Sequence, residues 1–304
     1  MKVVITGIST ILGRMLAERL LSLGYSVYGI DMRPWKNAPK DIEIVQSDVR
    51  KKPAEEVFRT KRPDAVVHMA SVAHFFQKFE ERYRVNLEST RAVFQYCYNY
   101  KVKRAVFTGR HTVYGADPDS SLYRTELDPP LGGLTFPELN DLITADLYAS
   151  SALWRYPEIT TTILRIVYTL GPSRRGTLAN FIKGPVVPSV LGFDPMFQFI
   201  HEDDAINAII IALENNLHGI YNIAGPQPVP LSTLIGKTGR IEMPVPQKWY
   251  PKVLGRFGLP KLFPGSLNHI KFSVVVDDKN FRDATGFMHK YDELESMKAF
   301  RYME

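Results

Sequence analysis

Residues 1–31, MKVVITGISTILGRMLAERLLSLGYSVYGID, carry the pattern that decides the fold. Lys2–Gly7 is a short apolar run of the buried-strand type. From Ile11 to Leu23 the apolar residues Leu12, Met15, Leu16, Leu20 and Leu21 fall at helical spacing, and Gly24 ends the helix. Ser26–Asp31 returns to a strand pattern. The alternation continues outward: Ile42–Asp48, Asp64–Ala70 and Arg104–Gly109 read as strands, with a long helix from about Phe79 to Tyr100 before the last of them. Strands that alternate with helices need right-handed crossovers, so the strands lie parallel and helices cover both faces. The expected class is α/β, a doubly wound parallel sheet.

Further along, Ala116–Pro137 is rich in Asp, Pro, Gly and Ser and reads as loop. A helix is expected from about Glu138 to Arg155, a β-branched strand at Thr160–Val167 and a helix at His201–Asn216. The acids in the first turn of that last helix suit the positive end of its dipole. Gly219–Gly225 reads as a final core strand. Pro-rich stretches at 171–200 and 225–270 break the alternation, which implies a smaller mixed lobe over the sheet's carboxyl edge, where such folds bind ligands. The expected division is 1–167 plus 201–225 for the nucleotide-binding domain and 168–200 plus 226–304 for the lobe.

Composition removes several classes. The chain is 45% hydrophobic and 23% charged, and "AINAIIIALENN" is broken by Asn and Glu, so no membrane span is expected. "MKVVITGIST" lacks a cleavage site and does not read as a signal peptide. The single cysteine, Cys97, excludes an intrachain disulfide and fits a cytoplasmic protein. It reads as a small core residue beside Phe94 and Tyr98. The seven histidines are scattered, and no metal-ligand spacing is present. His68 belongs to a buried strand, and His201 with Asp203 and Asp204 reads as a helix start that anchors the lobe.

"TGISTILG" puts Gly7 at the end of the first strand and Gly13 inside the following helix, the first for a tight turn and the second for close helix–strand packing. About 18 residues past Gly13, Asp31 ends the second strand, where a carboxylate can accept both hydroxyls of an adenine nucleotide's ribose. Gly7, Thr10, Ile11, Gly13 and Asp31 are therefore candidate dinucleotide-binding residues of a Rossmann-type sheet. Thr10 stands where backbone would approach a pyrophosphate; its side chain takes room, although its hydroxyl could donate to a phosphate. Asp31 repels a 2′-phosphate while Arg33 attracts one, so NAD is expected, with NADP as the alternative.

These stretches, together with "DVRK", "DAVVHMAS", "VNLEST", "KRAVFTGRHTVYG", "TTILRIVYTLGP", "FIHEDDAINAI" and "GIYNIAG" in that order, make the chain resemble an extended short-chain dehydrogenase/reductase of the NAD-dependent epimerase/dehydratase family over nearly its whole length. The resemblance implies that Asp48 and Val49 flank adenine, that Ala70 lines the pyrophosphate path and that Asn86 supports the strand beneath the nicotinamide.

The same resemblance shows what is replaced. Family chemistry uses a Ser or Thr and a Tyr with a Lys four residues on, the Lys lowering the phenol's pKa for proton exchange. No Tyr in this sequence has a Lys four residues after it. Aligned on "HTVYG", the Ser position falls on Arg110; aligned on Asp146, the Tyr and Lys positions fall on Glu138 and Leu142. Tyr168 and Phe197 stand where a nucleotide-sugar member would offer an Asn and an Arg to its diphosphate. Two readings of the replaced site are open. In one, Glu138 is a carboxylate base and Arg110 or His111 an electrophile, acting on a nucleotide- or lipid-linked substrate. In the other, Arg110 and Glu138 form an ion pair in a dinucleotide-dependent sensor or scaffold.

Basic charge is local: Lys237–Lys271 holds seven basic residues against the single acid Glu242, which equals the whole excess of +6. Within it Trp249, Val253 and Phe257 share one helical stripe beside Lys248, Lys252 and Arg256, with Pro251 suited to the first turn and Gly258 to a stop. Lys248–Lys261 is thus a candidate for peripheral contact with anionic lipid; nucleic acid is not expected, for want of a recognition motif. By resemblance, the helices near 79–100 and 138–155 pair across a two-fold axis in a homodimer that binds a small molecule.

Overall fold

The computed structural model describes residues 1–69, 79–119, 121–253, 255 and 263–302. A seven-stranded sheet contains β1 (Lys2–Thr6), β2 (Ser26–Asp31), β3 (Glu43–Gln46), β4 (Ala65–His68), β5 (Arg104–Arg110), β6 (Thr160–Ile166) and β7 (Gly219–Ile223). Its order is β7-β6-β5-β4-β1-β2-β3. β1 pairs parallel with both β2 and β4, β2 with β3, and β4 with β5. Chain direction along the sheet therefore reverses between β1 and β4, the switch point outside which doubly wound sheets bind ligands.

By contacts the chain divides into two units. The first comprises Met1–Gly109, Asp141–Arg165 and Ile206–Tyr221. Its core holds Val4, Ile30, Phe58, Val66, Phe94, Cys97, Ala149 and Ile163, all 1% exposed or less. Buried strands such as β4 explain why the sequence shows continuous apolar runs where a one-sided strand would alternate. The long helix expected over 79–100 is present, but a π turn at Arg84–Glu88 divides it into Phe79–Tyr83 and Ser89–Asn99. Such a turn inserts one residue and re-aims side chains; here it leaves Asn86 buried.

The second unit comprises Arg110–Asn140, Ile166–Ala205 and Asn222–Glu304, so that 110–140, which the sequence reading kept with the first domain, contacts this unit instead. It is built of short paired strands. Tyr168–Leu170 lies parallel to Phe199–His201, Val186–Val190 parallel to Ile241–Val245, and Met196–Phe197 antiparallel to Val229–Pro230. Their core includes Leu170, Phe181, Phe199, Leu234 and Phe300. Within Ala116–Pro137, read as loop, lie a two-residue strand, Tyr123–Arg124, and a short helix, Gly132–Thr135. Both are too short for a periodic signal. A Cβ on Gly132 would sit 2.7 Å from the Thr112 carbonyl oxygen, so only glycine allows that approach.

Candidate functional site

β1 ends in a turn at Gly7, whose φ of 78° favours glycine, and the helix Ile11–Ser22 follows. A Cβ on Gly13 would lie 2.5 Å from the Gly7 carbonyl oxygen, so this glycine sets how closely helix and strand pack. Thr10 is the helix N-cap. Its hydroxyl donates to the Gly7 carbonyl at 2.8 Å and accepts from the Gly13 N–H at 3.0 Å. Its one proton is thereby spent inside the turn, which corrects the expectation of a phosphate donor. What remains at the helix start is better suited to that role: the Ile11 and Leu12 N–H groups have no hydrogen-bond acceptor among the described residues, as expected of the first helical amides. Two such donors at the positive end of a helix suit an anion.

The Asp31 carboxylate is held in place from both sides. Oδ2 accepts the Ser9 N–H at 3.0 Å, and Oδ1 accepts the Arg33 N–H at 2.9 Å and Nε–H at 3.5 Å. The Arg33 guanidinium is otherwise 59% exposed. Ser9 Oγ donates to the Arg33 carbonyl, and Arg14 lies over the Trp35 ring, so the turn and the end of β2 form one braced edge.

Asp48 and Val49 follow β3. Arg50 grips the Asp48 carboxylate with Nε and Nη2, the latter at 2.6 Å, and reaches Glu88 with Nη1 at 3.0 Å. Those bonds from Arg50 hold the Asp48 carboxyl below its ordinary pKa. Val49 is buried. A cleft of about 540 Å³ opens beside them, lined by Arg50, Lys51, Glu81, Arg84 and Glu88. Ala70 lies outside the described residues.

Asn86 donates from Nδ2 to Asp141 Oδ2 at 2.8 Å, and Arg82 Nε lies 3.6 Å from the same oxygen. All three side chains are at most 3% exposed, and burial raises the Asp141 carboxyl pKa. Neither partner of Asn86 is legible in the sequence: Arg82 sits in the run "FEERYRVN", which looks solvated, and nothing marks Asp141 as buried. Beside this cluster, His68 Nδ1 lies 2.6 Å from Thr6 Oγ1, and Nε2 lies 3.1 Å from Thr90 Oγ1. Thr90 gives its own proton to the Asn86 carbonyl, so His68 carries its proton on Nε2 and accepts from Thr6. Burial pushes its pKa down to about 3. His68 is thus a neutral, doubly bonded core residue.

Helix Asn140–Arg155 presents Asp146 to Arg165 of β6, and the two-pronged pair, at 2.6–3.2 Å, is buried. Leu142, aligned with the family's Lys, is buried one turn before Asp146. In the second unit Arg110 Nη1 donates to Thr177 Oγ1 at 3.3 Å. Glu138 lies half-buried in a single turn, Pro137–Leu139. His111 is buried, its pKa pushed down to about 3 first by desolvation and then by His269. Asp204 accepts the Lys290 and Tyr291 amides, and Asp203 bonds the Tyr291 hydroxyl at 3.2 Å, so these acids tie down the C-terminal segment. Among the described residues no group of three or more His, Cys, Asp or Glu could hold a metal ion.

Residues 3–224 match the NAD dependent epimerase/dehydratase family. The chain belongs to that family. An uncharacterized protein of Mycobacterium tuberculosis is 28% identical over 306 residues, which cover 97% of this chain and 81% of its own length. A UDP-glucose 4-epimerase of Caenorhabditis elegans is 27% identical over 206 residues, 60% of this chain and 58% of that one. Among solved structures, the Thermus thermophilus UDP-glucose 4-epimerase in complex with NAD matches with a TM-score of 0.80 at 22% identity, covering 100% of this chain and 98% of the other. The α/β sheet expected from the sequence is thus this family's fold.

In the basic segment, the helix is only Tyr250–Val253. Tyr250 is the residue that packs inward, its hydroxyl donating to the Pro188 carbonyl, whereas Trp249 is 61% exposed beside the exposed Lys248 and Lys252. Arg256, Phe257, Gly258 and Lys261 lie outside the described residues. No helix among the described residues is long and apolar enough to cross a membrane.

Proposed function

We propose that this chain binds a nicotinamide dinucleotide, NAD in preference to NADP, and that its substrate chemistry runs without a Tyr–Lys pair. The observation that carries the first part is the turn from Gly7 to Gly13. Its Thr10 hydroxyl is turned inward, the Ile11 and Leu12 amides point out of the first helical turn, and the Asp31 carboxylate is fixed beside them. The amides suit a pyrophosphate, the Asp31 carboxylate suits ribose hydroxyls, and the dinucleotide when bound supplies a hydride carrier. The carboxylate also disfavours a 2′-phosphate, although Arg33 beside it offers NADP a cation. Asp48, Val49 and Asn86 complete the proposed set.

The second part rests on sequence and register. Aligned on Asp146, Glu138 and Leu142 stand where the family has Tyr and Lys, and Arg110 takes the Ser position. Calorimetry with NAD and NADP tests the reading. Wild type is expected to bind NAD more tightly than NADP. Asp31→Asn is expected to bind NAD about tenfold more weakly, the loss of one charge-assisted hydrogen bond. Gly13→Ala is expected to weaken it at least as much by pushing the helix off β1. Failure of wild type to bind either dinucleotide would sink the reading, and turnover of NAD(H) with a substrate panel separates an enzyme from a sensor.

The same unit supports self-association. Leu147 and Trp154, two helical turns apart on Asn140–Arg155, are 49% and 76% exposed, and Tyr98 on Ser89–Asn99 is 50% exposed. Large apolar side chains exposed on both helices suit a second copy of the chain. Light scattering is expected to report a dimer for wild type and a monomer for Trp154→Glu; a monomeric wild type rejects it.

A further inference from the structure

Three arginines of the second unit meet where its last helix, Glu293–Arg301, ends. Arg174 donates from Nε to the Phe300 carbonyl at 2.7 Å and from Nη2 to the Arg301 carbonyl. Arg240 donates from Nε to the Ile182 carbonyl at 3.0 Å and from Nη1 to the Thr238 carbonyl at 2.7 Å. Both guanidinium groups lie by the Phe300 ring, their carbons 5.7 and 5.3 Å from its centre. Arg301 runs over the turn that precedes Arg240: a Cβ on Gly239 would come within 2.9 Å of the Arg301 Nε.

Helix ends explain part of this. Ile182 and Thr238 follow the helices Thr177–Phe181 and Leu231–Lys237, and carbonyls at a helix C-terminus attract cations. They do not explain why three guanidinium groups stand together, since like charges repel. Arg240 is pushed below its ordinary pKa first by desolvation and then by Arg174 and Arg301, and no carboxylate acts on it. The acids of the neighbouring elements are engaged elsewhere. Glu202 accepts the Ser173 hydroxyl and amide, Glu242 accepts the Ser189 hydroxyl at 2.6 Å, and Asp292 and Glu295 cap the far end of the last helix. Among the described residues none of the three arginines forms an ion pair.

Donors remain as well as charge. Nη1 of Arg174, Nη2 of Arg240 and the whole fork of Arg301 have no hydrogen-bond acceptor among the described residues. Two of the three groups are held by paired backbone bonds, so their charge is ordered before a ligand arrives, which lowers the cost of binding one. Arg301 is exposed, as are Arg175 and Lys237 close by in sequence, so the ligand is met on an open surface. Guanidinium forks match phosphate oxygens two at a time. A carboxylate would bring one negative charge to three positive ones, whereas a pyrophosphate-type group brings at least two, with oxygens enough for each fork.

We infer that Arg174, Arg240 and Arg301 form an open binding site for a multiply charged phosphate group, separate from the Gly7–Gly13 turn of the first unit. The site does not rest on the dinucleotide reading above. Free polyphosphates and doubly phosphorylated lipid headgroups carry the same chemistry, and the test separates them.

Calorimetry on the full chain tests the site with inorganic pyrophosphate and with acetate. Pyrophosphate is expected to bind at least about tenfold more tightly than acetate. Arg301→Gln removes a guanidinium that makes no hydrogen bond within the described residues, so the fold is kept. It is expected to weaken pyrophosphate about tenfold, the loss of one charge-assisted contact, with melting temperature and NAD affinity unchanged. Arg301→Glu is expected to abolish the binding. No binding of pyrophosphate, no preference over acetate, or an affinity lowered by Gly13→Ala but untouched by both Arg301 variants overturns the site. A wild type that binds pyrophosphate here and no NAD defeats only the cofactor reading. Where pyrophosphate binds as expected, sedimentation with phosphatidylcholine vesicles carrying phosphatidylinositol 4,5-bisphosphate names the source: sedimentation that Arg301→Glu abolishes assigns the site to a headgroup, and none by wild type assigns it to a free polyphosphate.

Discussion

Between pH 6 and pH 4 three histidines buried uncharged are expected to remove about 4 kcal/mol of stability per pH unit, their own share of the pH dependence. Burial lowers His68 and His111 to a pKa of about 3 and His269 to about 4, each from an ordinary value of 6.5. In the unfolded chain all three take a proton as the pH falls through 6.5; in the folded chain none does until about 4. The unfolded state therefore binds more protons throughout that window, and stability falls with falling pH. Each such group contributes about 1.4 kcal/mol per unit. Three of them consume an ordinary domain stability of about 5–15 kcal/mol within a few pH units. Urea unfolding of wild type and His68→Gln at pH 6 and pH 4 measures this share, and the variant's slope should be shallower by about a third of the histidine contribution. A slope that His68→Gln leaves unchanged would show that this imidazole is open to water.

Replacing Asp146 by Ala is expected to cost about 3–5 kcal/mol, the usual result of removing one member of a buried ion pair. Arg165 and Asp146 are 3% and 1% exposed, and two guanidinium nitrogens reach the carboxylate. Without the carboxylate, the Arg165 charge stays in the interior after losing its two-pronged partner. Gly109 shows how tightly the pair is enclosed: a Cβ there would come within 2.9 Å of Asp146 Oδ2. A double variant, Asp146→Leu with Arg165→Met, should recover most of the loss, since apolar groups of similar volume carry no desolvation cost. If Asp146→Ala shifts the urea midpoint by less than 1 kcal/mol equivalent, water reaches the guanidinium and the pair is not closed.

Legibility followed the range of the forces involved. Gly7, Gly13 and Asp31 could be read in sequence because each answers a local demand: a positive φ, a close helix–strand approach, an acid at a strand end. The Thr10 hydroxyl is bound within its own turn, giving its proton to the Gly7 carbonyl and accepting from the Gly13 amide, a cap that the spacing of glycines alone does not reveal. Arg82 and Asp141 gave no signal, since they are 59 residues apart and look like ordinary surface charges until a π turn and a helix start bring them together.

By itself, then, the amino-acid order settled the alternation of strands and helices, the glycine turn and the absence of a Tyr–Lys spacing, because backbone propensity and spacing along one chain act over a few residues. Tertiary structure alone decided which charges are buried, which imidazoles are neutral, and that Tyr168, Phe197 and His111 share one place. Burial and ring contact depend on residues distant in sequence, and desolvation has no counterpart in an extended chain.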